Sequence, residues 1–310
     1  MNKEFLLGID IGGTKCAVIL GRTGDTDEKI IERCAFPTLV ERGWRKVVDE
    51  LLVTTDSVLE KYKIKTEQIK GIGISCGGPL DSKRGVIMCP PNLPDWDNVP
   101  VVKIFEDHFG VKTNLQNDAN ACAVAEWKYG AGKGTRNCIF LTFGTGMGAG
   151  LILDGRLYSG TNDMAGEVGH IRLADDGPEG YGKKGSFEGF CSGGGISRLA
   201  DFTAGKKMNL TAKELAENMY KGDKFSTEVY TKCAERLGTG LSVLIDILNP
   251  EVIVIGSIYA RNTKFFDSVI LPVIKRETLE NSASVCKILP AELGEQIGDF
   301  AALGLAEMED

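Results

Sequence analysis

Two glycine turns in this sequence have the composition of anion grips. Each lies between apolar runs, LLGIDIGGTKCAVIL over residues 6–20 and IFLTFGTGMGAGLIL over 139–153. Glycine lets a backbone come close to a phosphate and aim successive N–H groups at its oxygens. Gly12, Gly13, Gly144 and Gly146 would supply that backbone, Thr14 and Thr145 hydroxyl donors, and Lys15 a positive charge. Asp10, just before the first turn, is placed to hold Mg²⁺ through water. Neither turn is a Walker loop, because Gly-x-x-x-x-Gly-Lys-[Ser/Thr] is absent, and neither is a dinucleotide fingerprint, which needs a helix after its glycines. One such hairpin alone is most often a tight turn, but two copies could clamp the β- and γ-phosphates of a nucleotide. A third stretch, GEVGHIRLADDGPEGYGKKGSFEG at 166–189, sets His170, one of only two histidines, beside a glycine-rich acidic loop suited to something small.

The composition narrows the partners. The 310 residues are 43% hydrophobic and carry a formal charge of −7, enough chain for two domains and no basic field to attract nucleic acid or an anionic membrane. Nine cysteines are odd in number and scattered without a Cys-x-x-Cys pair, which reads as free thiols in a reducing, cytoplasmic setting. The apolar runs are strand length, far short of the roughly 20 residues a membrane span needs.

The positioning elements follow from periodicity. Phe5–Ile11, Cys16–Leu20 and Ile30–Phe36 read as an antiparallel start. Apolar residues at 44, 47, 48, 51, 52, 58, 59 and 62 predict a helix from Trp44 to Tyr62, and IKGIGIS a strand ending in Cys-Gly-Gly-Pro. Residues 85–99 are loop-like; Pro100 opens a helix to Phe109, with Gly110 just beyond, and VKTNLQ is the next strand. A helix over Ala119–Tyr129, strands in NCIFLTF, GLILDG and EVIVIGS, and a helix over Thr227–Leu248 complete the pattern. Gly238 and Gly240 inside that last helix point to a close neighbour, either another backbone or a ligand. His108 reads as a surface or helix-end residue, Trp96 and Trp127 as core, and the lysine pair 183–184 as a solvated turn.

GIDIGGTK, PPNLPDW, NDANACAVAE, FGTGMGAGLILDGRLYSG, AGEVGH, SFEGFCSG and NPEVIVIG together resemble, in order and spacing, the ROK family of sugar kinases and sugar-responsive repressors. The resemblance runs from Phe5 to about Ala306. It implies an α/β, two-domain actin-like ATPase (ribonuclease H-like) fold with an interdomain cleft: a small domain of residues 1–117 plus 297–310, whose C-terminal helix returns to it, and a large domain of 118–296. It implies ATP and Mg²⁺ as cofactors and a hexose as substrate, glucose by default and phosphorylated at its 6-hydroxyl, with N-acetylmannosamine, N-acetylglucosamine and fructose as alternatives. Homodimers are common in the family.

The resemblance also assigns residues. Asp118 falls on the catalytic aspartate, the base that accepts the sugar hydroxyl's proton; the competing role for it is to cap the helix that follows. Gly78, Asn92 and Asn117 fall on sugar contacts, though the usual Pro-Gly-Pro is here Gly77-Gly78-Pro79. Glu167, His170 and Glu188 fall on residues that bond the anomeric end. Gly256 closes the strand next to the adenine side, where Ser257 replaces a second glycine and Gly193–Gly195 are close to the base or ribose. In the family a Cys-x-Cys-Gly-x-x-Gly-Cys segment joins the histidine in a structural zinc site, but those cysteine positions are here Glu179, Tyr181 and Ser186. A histidine with a glutamate, a phenol and a serine is a poor tetrahedral set, so no structural zinc is expected. A regulator is the second reading; the first phosphate strand begins at Phe5, leaving no room ahead of it for a helix-turn-helix.

Overall fold

The computed structural model describes residues 4–24 and 29–308. They divide into two compact units, one of residues 1–133, 159–163 and 293–310, the other of 134–158 and 164–292. The division thus falls after Lys133 rather than at 117. The reason is packing: the helix Asp118–Tyr129 lies against the C-terminal helix Ile297–Ala306, where Gly304 faces Val124 and Tyr129. The same C-terminal helix also lies on the first unit's sheet, where Ala302, Leu303 and Leu305 meet Gly8, Gly21 and Gly73 and are fully buried.

Each unit is built on a five-stranded sheet, and the two sheets share one topology. In the first the order is Ile30–Pro37, Lys15–Arg22, Phe5–Ile11, Ile69–Cys76, Thr113–Asn117. In the second it is Arg156–Leu157, Ala149–Leu153, Cys138–Leu141, Val252–Ile255, Lys287–Pro290. In both, the first three strands pair antiparallel and the last two add in parallel to the third. The repeated hairpin of the sequence is therefore the start of a repeated sheet. Each glycine turn joins the second and third strands of its own sheet, whose residues are almost all buried.

The helix over Trp44–Tyr62 occupies the residues its periodicity predicts and buries Val47, Val48, Leu51, Val58 and Leu59. Val101–Phe109 forms the helix after Pro100, and Gly110 ends it at φ 66°, a left-handed conformation that glycine adopts without penalty. The segment 85–99 is mostly turns, but Val86–Ile87 pairs with Leu80–Asp81 in a short hairpin. Trp96 is fully buried in the first unit's core. His108 is exposed, its Nε2 2.9 Å from Asp56 Oδ2. All nine cysteines are free, and no described helix is long and apolar enough to cross a membrane.

Two close approaches set the layers. In the first unit, Gly73 lets the sheet lie directly under the C-terminal helix, since a Cβ there would overlap the carbonyl oxygen of Ala302. In the second, the helix Lys224–Leu248 carries Gly238 against Val273 and Ile270, and Gly240 against the ring of Phe187. The two helical glycines are explained by packing. Phe187 opens the short helix Phe187–Phe190 that carries Glu188, so Gly240 sets the depth at which that carboxylate sits.

Helix propensity alone would make Gly240→Ala stabilising by about 1 kcal/mol. The overlap with Phe187 reverses the sign. The substitution is expected to lower stability by roughly 1–3 kcal/mol, read as a lower urea midpoint with an unchanged slope; a gain in stability would contradict this packing.

Candidate functional site

In the first unit the strand Phe5–Ile11 delivers Asp10 and then turns through Gly12, Gly13 and Thr14 into Lys15–Arg22. The turn is closed by Gly12 N donating to Lys15 O at 3.1 Å, and by Thr38, whose hydroxyl donates to Gly12 O at 2.6 Å and whose amide donates to Thr14 O. Gly13 lies against the backbone of Asn92, so closely that a Cβ would overlap it. Asn92's side-chain amide in turn sits over Gly77, and a Cβ at Gly78 would come to 4.0 Å from Asn117 Cβ. Thr14 and Lys15 are exposed at the turn's rim. Asp10, Gly12, Gly13, Gly78, Asn92, Asn117 and Asp118 thus converge within this unit.

Asn117 and Asp118 mark the passage from the strand Thr113–Asn117 into the helix Asp118–Tyr129. Of the two, Asn117 is the cap: its side-chain oxygen accepts from Asn120 N at 2.9 Å. Capping therefore falls to Asn117, and the Asp118 carboxylate, reachable from solvent, receives Ser75 Oγ at 3.3 Å. The protein crowded around it pushes its pKa up from the usual aspartate range, against a smaller pull down from the Ser75 hydroxyl. Accessibility and a raised pKa are compatible: the group touches solvent but has lost much of the water a free carboxylate would have. Asp10 is raised to about 6, first by burial and then by the charge of Asp118.

The second unit's turn between Cys138–Leu141 and Ala149–Leu153 is closed by Thr142, whose amide donates to Gly148 O at 3.0 Å and whose hydroxyl accepts from Gly148 N at 2.8 Å. Gly144 O accepts from Gly193 N at 2.7 Å, which joins the turn to the start of the helix Gly193–Ala204. Thr145 is exposed and, with Gly144, edges a cavity of about 890 Å³. Its other walls come from Gly193, Gly194 and Ser197, from Thr211–Tyr220, and from Ser257, Ile258 and Arg261. That is the size of a pocket for a nucleotide-sized ligand. Gly256 is buried with its amide on Leu141 O, and its neighbour Ser257, held at φ 50°, meets the cavity instead. The walls at 211–220 and Arg261 had no sequence signal beyond a helix start, the Thr211–Glu214 capping box.

At the other side of this turn, Glu188 Oε2 accepts from Met147 N at 3.1 Å and lies 2.9 Å from where a side chain at Gly146 would begin. Glu167 opens the single turn Val168–His170. Tyr181 is bonded to Glu167, and that carboxylate's charge is the main cause of the raised phenol pKa. The rings of His170 and Tyr181 meet edge-on, 5.7 Å between centroids. Glu167, His170 and Glu188 thus gather in one unit with the glycine turn at 142–148.

The loop's donor set does not suit zinc. Ser186 caps the helix Phe187–Phe190 and donates to Gly180 O at 2.8 Å; Glu179 and Gly180 pair with Lys183 and Lys184 in a hairpin. Lys183 is not a solvated turn residue: its ammonium lies 3.1 Å from His170 Nδ1 and donates to His170 O at 2.7 Å. A cation there repels a metal ion, and no group of three or more acidic, histidine or cysteine side chains among the described residues is arranged to hold one.

With this geometry in hand, comparison with known proteins gives the class. Residues 6–309 match the ROK family, and the chain belongs to it. It is 32% identical over 269 residues to a glucokinase of Thermotoga maritima, covering 83% of this chain and 82% of that one. A ROK hexokinase structure from Thermus thermophilus superposes with a TM-score of 0.83 at 29% identity over 97% of both chains. A ROK-family glucokinase from Streptomyces griseus, solved with glucose and AMPPNP, gives 0.72 at 27% identity over 97% of this chain and 99% of that one. A xylose repressor of Caldicellulosiruptor bescii is also similar, 28% identical over 89% of this chain and 70% of its own. The two-unit α/β architecture is that of the actin-like ATPases.

Two outcomes test these electrostatics. Asp10 titrates near 3.8 when unfolded and near 6 when folded, so the folded chain binds more protons between those values and stability falls as pH rises through that window. The shift corresponds to on the order of 2–3 kcal/mol; Asp10→Asn is expected to recover that much at about pH 7.5 and to flatten the pH dependence of the urea midpoint. Protein purified without chelators is expected to carry no stoichiometric zinc, and EDTA to leave its melting temperature unchanged; one zinc per chain by metal analysis would contradict the reading of the loop.

Proposed function

We propose that this chain is an ATP- and Mg²⁺-dependent hexose kinase that phosphorylates the 6-hydroxyl of its sugar, with glucose the first substrate to test and N-acetylmannosamine, N-acetylglucosamine and fructose next. The observation that carries this reading is the accessible Asp118 carboxylate, relieved of capping by Asn117 and raised in pKa. A general base works best when its pKa approaches the operating pH, because it must be ionised and yet take a proton readily. Burial moves an aspartate in that direction.

The other residues fit roles around that base. Asn117 has its oxygen engaged by Asn120, which leaves its NH₂ to donate to a sugar oxygen; Asn92 is held beside Gly77 to do the same. Glu167, His170 and Glu188 are the proposed contacts at the anomeric end. Glu188 accepts from the amide of Met147, so a sugar bound to that carboxylate is registered to the phosphate turn. ATP is proposed to set its adenosine in the cavity beside Gly193 and Arg261, with its phosphates toward Gly144, Thr145 and Gly146. Gly12, Gly13, Thr14 and Lys15 are the proposed second grip, for the terminal phosphate. Mg²⁺ supplies charge neutralisation on the phosphates when bound. Asp10 suits it through water, because its carboxylate and that of Asp118 repel one another and a cation relieves both. Transfer then depends on positioning and charge stabilisation, Asp118 drawing the hydroxyl proton as its oxygen bonds to the γ-phosphorus and ADP leaves. The repressor reading explains neither the uncommitted carboxylate nor the paired turns.

The test is Asp118→Asn, which keeps the size and removes the base. It is expected to leave glucose binding within a few-fold by calorimetry while turnover in an ADP-release assay falls by roughly 10²–10⁴. Turnover within a few-fold of the parent would overturn the assignment.

A further inference from the structure

The hydrogen bond between Lys183 and His170 has a consequence for the sugar. An ammonium has three donors and no acceptor, so at 3.1 Å the His170 Nδ1 must accept. A neutral imidazole that accepts at Nδ1 carries its proton on Nε2. The second bond, from the same ammonium to His170 O at 2.7 Å, ties side chain and backbone of one residue to one cation and restricts rotation of the ring. Tyr181, edge-on to the ring and bonded to Glu167, blocks a second direction of movement.

The hairpin that brings Lys183 here is built for it. Gly180 pairs with Lys183 across a two-residue turn in which Tyr181 and Gly182 have φ of 57° and 68°. Two left-handed residues are what a tight hairpin turn requires. Tyrosine in that conformation is unfavourable by about 1 kcal/mol, which its contacts with Glu167 and His170 offset. Ser186 then locks the hairpin to the helix of Glu188 through Gly180 O.

We propose that Lys183 is a positioning residue that does by hydrogen bonding what a metal ion would otherwise do at this loop: it fixes His170 as the Nε2–H tautomer and holds the ring still, so that His170 offers a hydrogen-bond donor to a hexose hydroxyl. The part concerning the sugar rests on the kinase reading above; the tautomer does not. A hydroxyl that accepts from Nε2–H keeps its own proton for Glu167 or Glu188, both acceptors when ionised. The site would therefore favour sugars with a free hydroxyl there over analogues in which it is replaced by hydrogen.

The test uses the whole chain labelled with ¹⁵N in its two histidines, without ligand, at about pH 8.5, above the ordinary imidazole range near 6.5. His170 is assigned by its loss in His170→Gln. The expected spectrum shows Nε2 protonated and Nδ1 bare. Lys183→Met is expected to give a mixture of tautomers and to raise the glucose KM about tenfold with kcat within twofold, while Lys183→Arg, still a donor, restores much of both. Lys184→Met serves as a control that changes neither. An Nδ1–H tautomer in the parent, or a Lys183→Met protein with the parent's tautomer and KM, overturns the proposal. Should the tautomer be as expected while no sugar is phosphorylated, Lys183 keeps its role and the kinase reading fails instead.

Discussion

The structure turns on a carboxylate that sits at the start of a helix without having to cap it. Asp118 and Asn117 are adjacent, and either side chain has the chemistry to bond the exposed amides of the first turn. Asn117 does so, through Asn120 N. Had the roles been exchanged, the aspartate's oxygens would be tied to the backbone and its pKa drawn down. Instead the surrounding protein raises it, with only Ser75 pulling the other way. The first unit's sheet fixes this arrangement, since Ser75 and Asn117 come from neighbouring parallel strands in which Cys76 pairs with Asn117.

The second unit supplies a different kind of order. Its turn at 142–148 is bonded on one side to the helix Gly193–Ala204 and on the other, through Glu188, to the helix Phe187–Phe190. The Phe187 ring is seated on Gly240 of the long helix. One core therefore sets the heights of the 142–148 turn, the cavity and the Glu188 carboxylate together, and a change at Gly240 reaches all three. In the loop at 166–189, a lysine, a phenol and a serine, each with a named partner, maintain the shape.

Much of this was legible in the sequence, for identifiable reasons. Strands and helices with a clear apolar period, such as Trp44–Tyr62, and those bounded by Pro100 and Gly110 were readable because local chemistry decides them. The duplicated hairpin was readable because the same Gly-rich turn recurs between apolar strands. The division falls after Lys133 and not at 117 because the allegiance of the helix Asp118–Tyr129 is set by its packing on residues 297–306, far away in the chain. The cavity walls come from five separated segments, so no spacing announces them. Lys183 was read as a surface residue because a lysine pair carries no signal until a hairpin returns it to a histidine thirteen positions earlier. At the end of the strand Val252–Ile255, Gly256 is buried and Ser257 beside it meets the cavity, a difference of one residue that a strand ending in Gly-Ser does not announce.

The most direct measurement is a crystal structure of the chain with glucose and a non-hydrolysable ATP analogue. The account predicts an Asp118 oxygen within about 2.6–3.2 Å of the sugar's 6-hydroxyl, with the analogue's terminal phosphate beyond that hydroxyl and in line with it. An Asp118 carboxylate turned into protein contacts, with the sugar's 6-hydroxyl facing some other group, would contradict it.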